Sequence, residues 1–444
     1  MTTPPETQVT TSPEQGGILR GRIVRGSAIL LLSTGLVAAT NLLYNILLAR
    51  MLGASSFGHA SALYTLLMLI TAITLSFQIV TSKFTARASE ALIRAQIYAS
   101  MLRRAWQVGL GIAVLLAAGS AYLKSYFNLP AQRDLVLLAL AAGVYIPVGV
   151  QRGRMQGTYH FRGLAINVVV EVAVKLGGAL LFLHYGLGVT GVMVAVLLSI
   201  IAAYIAGEPG AEYKAKPGMI KIAPFGEGMQ AIIYFIGQVI LSNLDILLVK
   251  HFFPPPEAGI YAAVALVGRV VFMVSWAVVS SMFPVSASRS HPKAGHSVLY
   301  TALLLVGTLI SASVAAVALA PEALWTLLLG KAFLLGTAEF SALLTKYAVM
   351  TGVYCVAVVF MMYEISRRIG TAAWMQFGAS VLLTAAIWRY HHSLSQVILV
   401  QLFVMCGLLV VVTIPLFRER TEPVPSPISQ SLPGVSLTDY SPRA

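Results

Sequence analysis

The sequence Asn-Ile-Leu-Leu-Ala-Arg at residues 45–50 returns as Asp-Ile-Leu-Leu-Val-Lys at residues 245–250. A second match follows each copy, because Gly-His-Ala-Ser-Ala at 58–62 corresponds to Gly-Ile-Tyr-Ala-Ala at 259–263. A repeat of so large a period indicates two copies of one large unit, and we expect the two halves to face each other. Membrane transporters are often built in this way, with a substrate site between the halves. The alternative is chance similarity, because Ile-Leu-Leu is common in apolar helices.

The composition around these copies is that of a polytopic membrane protein. Of the 444 residues, 58% are hydrophobic and 10% are charged, whereas a soluble domain has about 25% charged residues. The net charge of +14 fits Lys and Arg retained in cytoplasmic loops, so no nucleic acid is expected as a partner. Cys355 and Cys406 lie in apolar runs and have no metal-site spacing, so the sequence predicts no metal and no cofactor.

Hydropathy predicts an all-α fold of about twelve spanning helices, since each crossing needs about 20 apolar residues. The predicted spans are 26–49, 58–80, 105–124, 133–151, 163–184, 188–206, 226–249, 258–282, 297–319, 339–362, 371–390 and 396–417. They divide into two pseudo-symmetric six-helix bundles, 26–206 and 226–420, joined by a cytoplasmic linker at 207–225. The polar ends 1–25 and 421–444 are predicted to be disordered. Basic residues follow every even-numbered span, which places both termini in the cytoplasm.

Ionisable residues within spans are costly, at about 2.5–3.5 kcal/mol each on insertion scales, and are functional candidates. In the fifth span, Asn167, Glu171 and Lys175 share one helix face, which predicts a polar wall of a central cavity. The alternative is that Glu171 and Lys175 neutralise each other as an (i, i+4) pair.

The seventh span has a similar polar face, formed by Gln238, Ser242 and Asp245. Asp245 has no adjacent cation in its own helix and needs a partner from elsewhere. It either binds a coupling cation, proton or sodium, or holds an arginine; the alternative is a structural hydrogen bond between helices. Its counterpart in the first half is Asn45, which follows Asn41 by one turn.

Arg269 is the strongest candidate for an anion ligand, because its planar fork suits phosphate oxygens and it cannot be deprotonated. Arg50, Lys250 and Lys346 add cations that together could line a cavity for an anionic head group. The alternatives are a salt bridge from Arg269 to Asp245, and snorkelling of Arg50 and Lys250 to the outer interface.

The second span offers neutral polar groups on roughly one face. Its polar residues are Tyr64, Thr71, Thr74 and Gln78. Such groups suit sugar hydroxyls, and they are equally ordinary contacts between helices.

Two motifs carry a family resemblance. Ala49-Arg-Met-Leu-Gly53 with Phe57-Gly58, and Arg152-Gly-Arg-Met-Gln-Gly157 with Phe161, resemble conserved segments of bacterial polysaccharide-export flippases. That family belongs to the superfamily that includes multidrug/cation antiporters and lipid II flippases. The Pro254–Pro256 turn, which follows Lys250, departs from the pattern of the first copy.

The resemblance implies two bundles forming a V, alternating access, and location in the bacterial inner membrane. It implies undecaprenyl-diphosphate-linked oligosaccharide as substrate, membrane lipid and other glycan-assembly proteins as partners, and no enzymatic activity. The cationic cavity role carries over by location to Arg269, Lys346, Arg50 and Lys175. Two alternatives stay open, an ion-coupled multidrug exporter and a membrane enzyme that polymerises or ligates glycans. The exporter needs an acidic cavity, and the enzyme needs a large outer loop.

Overall fold

The computed structural model describes residues 13–88, 90–207, 226–286, 292–333, 337–367 and 371–419. These residues form thirteen α-helices and one short 3-10 turn, Lys331–Phe333, so the all-α fold class is confirmed. The helices are α1 (Pro13–Arg87), α2 (Ala91–Ala118), α3 (Ser120–Tyr126), α4 (Gln132–Gly157), α5 (Phe161–His184), α6 (Gly188–Ala206), α7 (Gly226–Phe252), α8 (Pro255–Ser286), α9 (Pro292–Leu319), α10 (Glu322–Leu329), α11 (Thr337–Arg367), α12 (Thr371–Arg389) and α13 (Leu394–Glu419).

Ten helical segments within the described residues are long and apolar enough to cross a membrane. The first runs over 56 residues, Leu32–Arg87, which is too long for one crossing of about 20 residues. It is broken at Gly53, whose φ of 71° and ψ of 173° are not helical. A positive φ combined with an extended ψ is essentially restricted to glycine, and the break it makes at Gly53 separates the first two predicted spans. Helix α12 accounts for the remaining predicted span, and each of the twelve predictions coincides with a helix.

One boundary differs from those predicted. Helix α1 begins at Pro13, so residues 13–25 are helical rather than part of a polar tail. Proline suits the first position of a helix, and a helix already nucleated by an apolar span extends at little cost. The linker beyond Gly207 and both predicted tails otherwise lie outside the described residues.

The helices pack as two lobes. Helices α1–α6 contact one another and form the N-lobe, and α7–α13 contact one another and form the C-lobe. Helix α1 joins the lobes, since it packs against both α7 and α8. Helix α10 and the 3-10 turn that follows it also lie on α1.

The two copies of the repeat meet each other at one end of this interface. A Cβ on Gly58 would lie 2.8 Å from the nitrogen of Gly259 and 3.2 Å from the carbonyl oxygen of Pro255. A Cβ on Gly259 would overlap the carbonyl oxygen of Ala54. Gly58 and Gly259 are equivalent in the repeat, and Ala54 and Pro255 have the same 201-residue offset. The two contacts are therefore symmetry-related, and the pseudo-two-fold axis passes between the glycines.

Other cross-lobe contacts surround the glycines. The rings of Phe57 and Phe333 meet edge to face at 5.7 Å, and the rings of Tyr126 and His251 stack at 3.9 Å. We call this region the closed end and define it by residues 50–58, 126–128, 250–259 and 322–333.

Enlarging Gly259 is expected to destabilise this contact. Because a Cβ there overlaps backbone rather than a flexible side chain, Gly259→Leu should cost about 1–3 kcal/mol, the usual range for overpacking. Gly307→Leu is the matched control, since nothing lies within 4 Å of its Cβ position. Thermal unfolding in detergent should show a lower midpoint for Gly259→Leu only. Equal midpoints for the two variants would contradict the tight contact.

Candidate functional site

A buried ion pair lies at the centre of the C-lobe. Asp245 on α7 is 1% exposed and accepts hydrogen bonds from the hydroxyls of Tyr261 and Tyr347, each at 2.9 Å. Arg269 on α8 donates to the same carboxylate at 3.1 Å and to Asn243 Oδ1 at 3.3 Å. The salt bridge that the sequence left as an alternative is formed. Asp245 is thus satisfied by three donors, as a buried carboxylate requires.

The two partners differ in accessibility. The Arg269 side chain is 26% exposed, whereas that of Asp245 is 1% exposed. Arg269 is therefore the member of the pair that can still meet a ligand. Asp245 serves mainly to hold the guanidinium in place.

Neutral polar groups continue along α7 from the ion pair. Gln238 Oε1 accepts from the Tyr354 hydroxyl at 2.7 Å and from Gln376 Nε2 at 2.8 Å. Its own amide donates to Ser242 at 3.1 Å. The buried oxygen Oε1 of Gln376 has no hydrogen-bond partner. The polar face predicted for this helix is thus bonded to α11 and α12 and retains an acceptor without a partner.

Lys175 on α5 is a buried cation of the N-lobe. Its Nζ donates to Asn41 Oδ1 at 2.6 Å and to the Tyr64 hydroxyl at 3.2 Å. The ammonium also lies 4.9 Å from the ring centre of Tyr44 and 5.0 Å from that of Tyr64, within cation–π range. No carboxylate among the described residues forms a salt bridge with it. Lys175 is therefore solvated by neutral groups and keeps its charge unbalanced.

Glu171 pairs with Arg152 rather than with Lys175. Arg152 Nη2 donates to Glu171 Oε2, and Arg152 Nε donates to Asn167 Oδ1 at 2.8 Å. The (i, i+4) alternative is not formed, because α4 brings a guanidinium to Glu171. Sequence spacing within α5 could not indicate this, since the partner lies on another helix.

Sequence reasoning missed the role of three side chains at the end of α6. The last carbonyls of a helix have no partner within it. Here Asn167 donates to the carbonyl of Ala203 at 2.5 Å, and Gln151 donates to that of Tyr204 at 3.0 Å. Arg154 reaches the carbonyl of Gly207 at 3.4 Å. The motif around Arg152 therefore fixes the point where the chain leaves the N-lobe.

Two predicted cations lie away from these clusters. Arg50 is exposed. Lys346 is also exposed and donates to Ser395 at 2.7 Å, beside a groove of about 540 Å³ between α11 and α13. The structure does not bring Lys346 to Arg269, because the next residue, Tyr347, points to the ion pair and adjacent residues face different directions on a helix.

Asn45 and Gln78 make modest contacts. The amide of Asn45 donates to the backbone carbonyl of Asn41 at 2.7 Å, one turn back in its own helix. The amide of Gln78 donates to Gln156 Oε1 at 3.2 Å. Neither therefore joins the ionic clusters. Within the described residues, no group of three His, Cys, Asp or Glu side chains could hold a metal ion.

A family model described as "Polysaccharide biosynthesis protein" matches residues 23–290, more than half of the chain. The chain belongs to this family. The match includes α1, both copies of the repeat and the ion pair of Asp245 and Arg269. No curated protein sequence matches the chain significantly.

Solved structures share the fold at low sequence identity. An inward-facing multidrug resistance MATE family transporter of the MOP superfamily is 13% identical with a TM-score of 0.72, covering 86% of this chain and 94% of that one. The lipid II flippase MurJ, inward closed, is 11% identical with a TM-score of 0.70, covering 89% and 88%. An outward-facing MATE structure is 15% identical with a TM-score of 0.60, covering 90% and 95%.

The ion pair can be tested by a double-mutant cycle. Asp245→Asn leaves Arg269 without its carboxylate, which should cost about 3–5 kcal/mol as for other broken buried pairs. Adding Arg269→Gln should restore part of that stability, because the uncompensated charge is then gone. The thermal unfolding midpoints of both single variants, the double variant and the wild type measure this. Simple additivity would contradict coupling between the two side chains.

Proposed function

We propose that this protein moves a polyprenyl-diphosphate-linked oligosaccharide from the cytoplasmic to the outer leaflet of the bacterial inner membrane. In this proposal the basic loops and both termini face the cytoplasm, and the closed end faces outward. The cavity between the lobes holds the diphosphate and the sugars, while the polyprenyl chain stays in the bilayer. Rocking of one lobe against the other gives alternating access.

The observation that carries the proposal is the unbalanced charge of Lys175. Arg152 and Arg269 are each paired with a carboxylate, so the five charged side chains of the two clusters leave one net positive charge. That charge is only 3% exposed and is held by neutral groups. An anion is the ligand that such a site favours, because electrostatic attraction is strong where water is scarce.

The neutral groups of the C-lobe suit the rest of the substrate. Gln238, Tyr354 and Gln376 supply amides and a hydroxyl, and Ser242 adds another hydroxyl. Such groups can exchange hydrogen bonds with sugar hydroxyls without a requirement for charge. Arg269 lies near them on α8 and would be the second contact for the diphosphate.

A cationic-drug exporter fits less well. Such a site needs a carboxylate available to the drug, but Asp245 and Glu171 are both engaged by arginines. Because Arg269 occupies the carboxylate of Asp245, Asp245 can bind a coupling proton or sodium ion only when Arg269 moves away from it.

The direct test is the leaflet distribution of undecaprenyl-diphosphate-linked glycans in cells depleted of the protein. Accumulation in the cytoplasmic leaflet, reversed by the wild-type chain, is expected. An unchanged distribution in a strain with no overlapping flippase would overturn the proposal, and a gain in drug sensitivity instead would support the exporter.

Lys175 should be required for flipping but not for folding. Lys175→Met removes the charge and keeps an apolar chain of similar length, so the unfolding midpoint should not fall. Flipping of a polyprenyl-diphosphate glycan in proteoliposomes should fall by about tenfold or more, equivalent to about 1.4 kcal/mol of lost binding. Lys175→Arg should retain part of the activity. Lys124→Met, at an exposed lysine, is the control, and an equal loss there would argue against a specific site.

A further inference from the structure

The closed end buries a charge completely. Lys250, at the end of α7, is 0% exposed, and its Nζ donates one long hydrogen bond of 3.4 Å to the carbonyl of Asn128. Within the part of the chain that the structure describes, no carboxylate pairs with it. Its repeat counterpart Arg50 is exposed. The repeat alone therefore does not explain why Lys250 is buried. Its burial is costly, because an ammonium needs more than one weak hydrogen-bond partner.

Residues of the N-lobe lie against this ammonium of the C-lobe. Asn128 belongs to the N-lobe, and so does His59, which is 9% exposed and near enough to interact electrostatically with Lys250. Nδ1 of His59 is buried without a hydrogen-bond partner. Two basic side chains, one from each lobe, thus lie near each other at this interface, and neither has a strong hydrogen-bond partner.

His251, the residue next to Lys250, connects the two lobes at the closed end. His251 stacks on Tyr126 at 3.9 Å, and its Nδ1 lies 2.7 Å from the Tyr126 carbonyl oxygen. A carbonyl only accepts, so Nδ1 carries the proton and donates. Separating the lobes at this end breaks the contacts of both His251 and Lys250 with residues 126–128. Opening therefore exposes the ammonium to water and to any anion between the lobes.

We infer that Lys250 is a binding residue for the lipid diphosphate that becomes accessible only when the closed end opens. The inference rests on the proposed function. Lys250 lies five residues beyond Asp245 on α7, about 7.5 Å along the helix axis. A diphosphate leaving Arg269 toward the outer leaflet meets Lys250 next. The closed state hides this cation at a cost, and the open state regains both hydration and an anionic partner.

Cysteine labelling tests whether Lys250 becomes accessible only when the closed end opens. Cys355→Ser with Cys406→Ser removes both cysteines of the chain, and Lys250→Cys is added to this background. Labelling by a membrane-impermeant maleimide from outside should be about tenfold or more slower than for Lys331→Cys, an exposed residue at the same end. Gly58→Leu, which holds the glycine contact open by a steric clash, should accelerate the labelling. The double change Tyr126→Ala with His251→Ala should also accelerate the labelling, because it removes a contact between the lobes without introducing a clash. Rapid labelling in the absence of both changes, or no acceleration by either change, would overturn the gate.

Binding of farnesyl diphosphate tests the ligand. In the Gly58→Leu background, Lys250→Met should weaken binding by about tenfold or more, whereas Lys250→Arg and Lys331→Met should not. Without Gly58→Leu, Lys250→Met should leave binding nearly unchanged, because Lys250 is then buried. If Lys250→Met weakens binding both with and without Gly58→Leu, or in neither case, the inference is overturned. If the protein binds no diphosphate with Lys250 intact, the proposed function fails instead, and the labelling result still decides the gate.

Discussion

The cost of placing charge in a hydrocarbon environment governs how this molecule is organised. Each carboxylate in the two ionic clusters has a guanidinium beside it, Arg152 for Glu171 and Arg269 for Asp245. These pairs link α4 to α5 and α7 to α8. A lysine without such a partner, as at position 175, stands out against this background. Its aromatic and amide surroundings reduce the cost of its charge without cancelling it.

Much of the architecture could be predicted from the chain. The repeat at 45–50 and 245–250 predicted two related halves in contact, and hydropathy located every span. Spacing on α7 identified a polar face, and the lack of a nearby cation showed that Asp245 needed a partner from another helix. These inferences depend on periodicity within one helix, which a sequence displays directly.

The site itself was less predictable, because it depends on how helices are rotated against each other. Lys346 and Tyr347 are adjacent, yet the tyrosine faces the ion pair and the lysine faces away. Arg50 and Lys250 match in the repeat but differ completely in exposure, because the two copies are packed differently at this end. Glu171 had a lysine one turn away and pairs with an arginine on α4 instead. Hydropathy and spacing carry no information on such rotations.

The contact between Gly58 and Gly259 has a consequence for the energy stored across the membrane. Any water-filled path between the lobes would pass protons and metal ions if both of its ends were open together. Backbone packed directly against backbone leaves less room for a file of water molecules than a contact between side chains does. Each elementary charge that leaks through 100 mV dissipates about 2.3 kcal/mol. The contact between these two glycines thus limits the leakage of ions across the membrane, independently of what the protein carries.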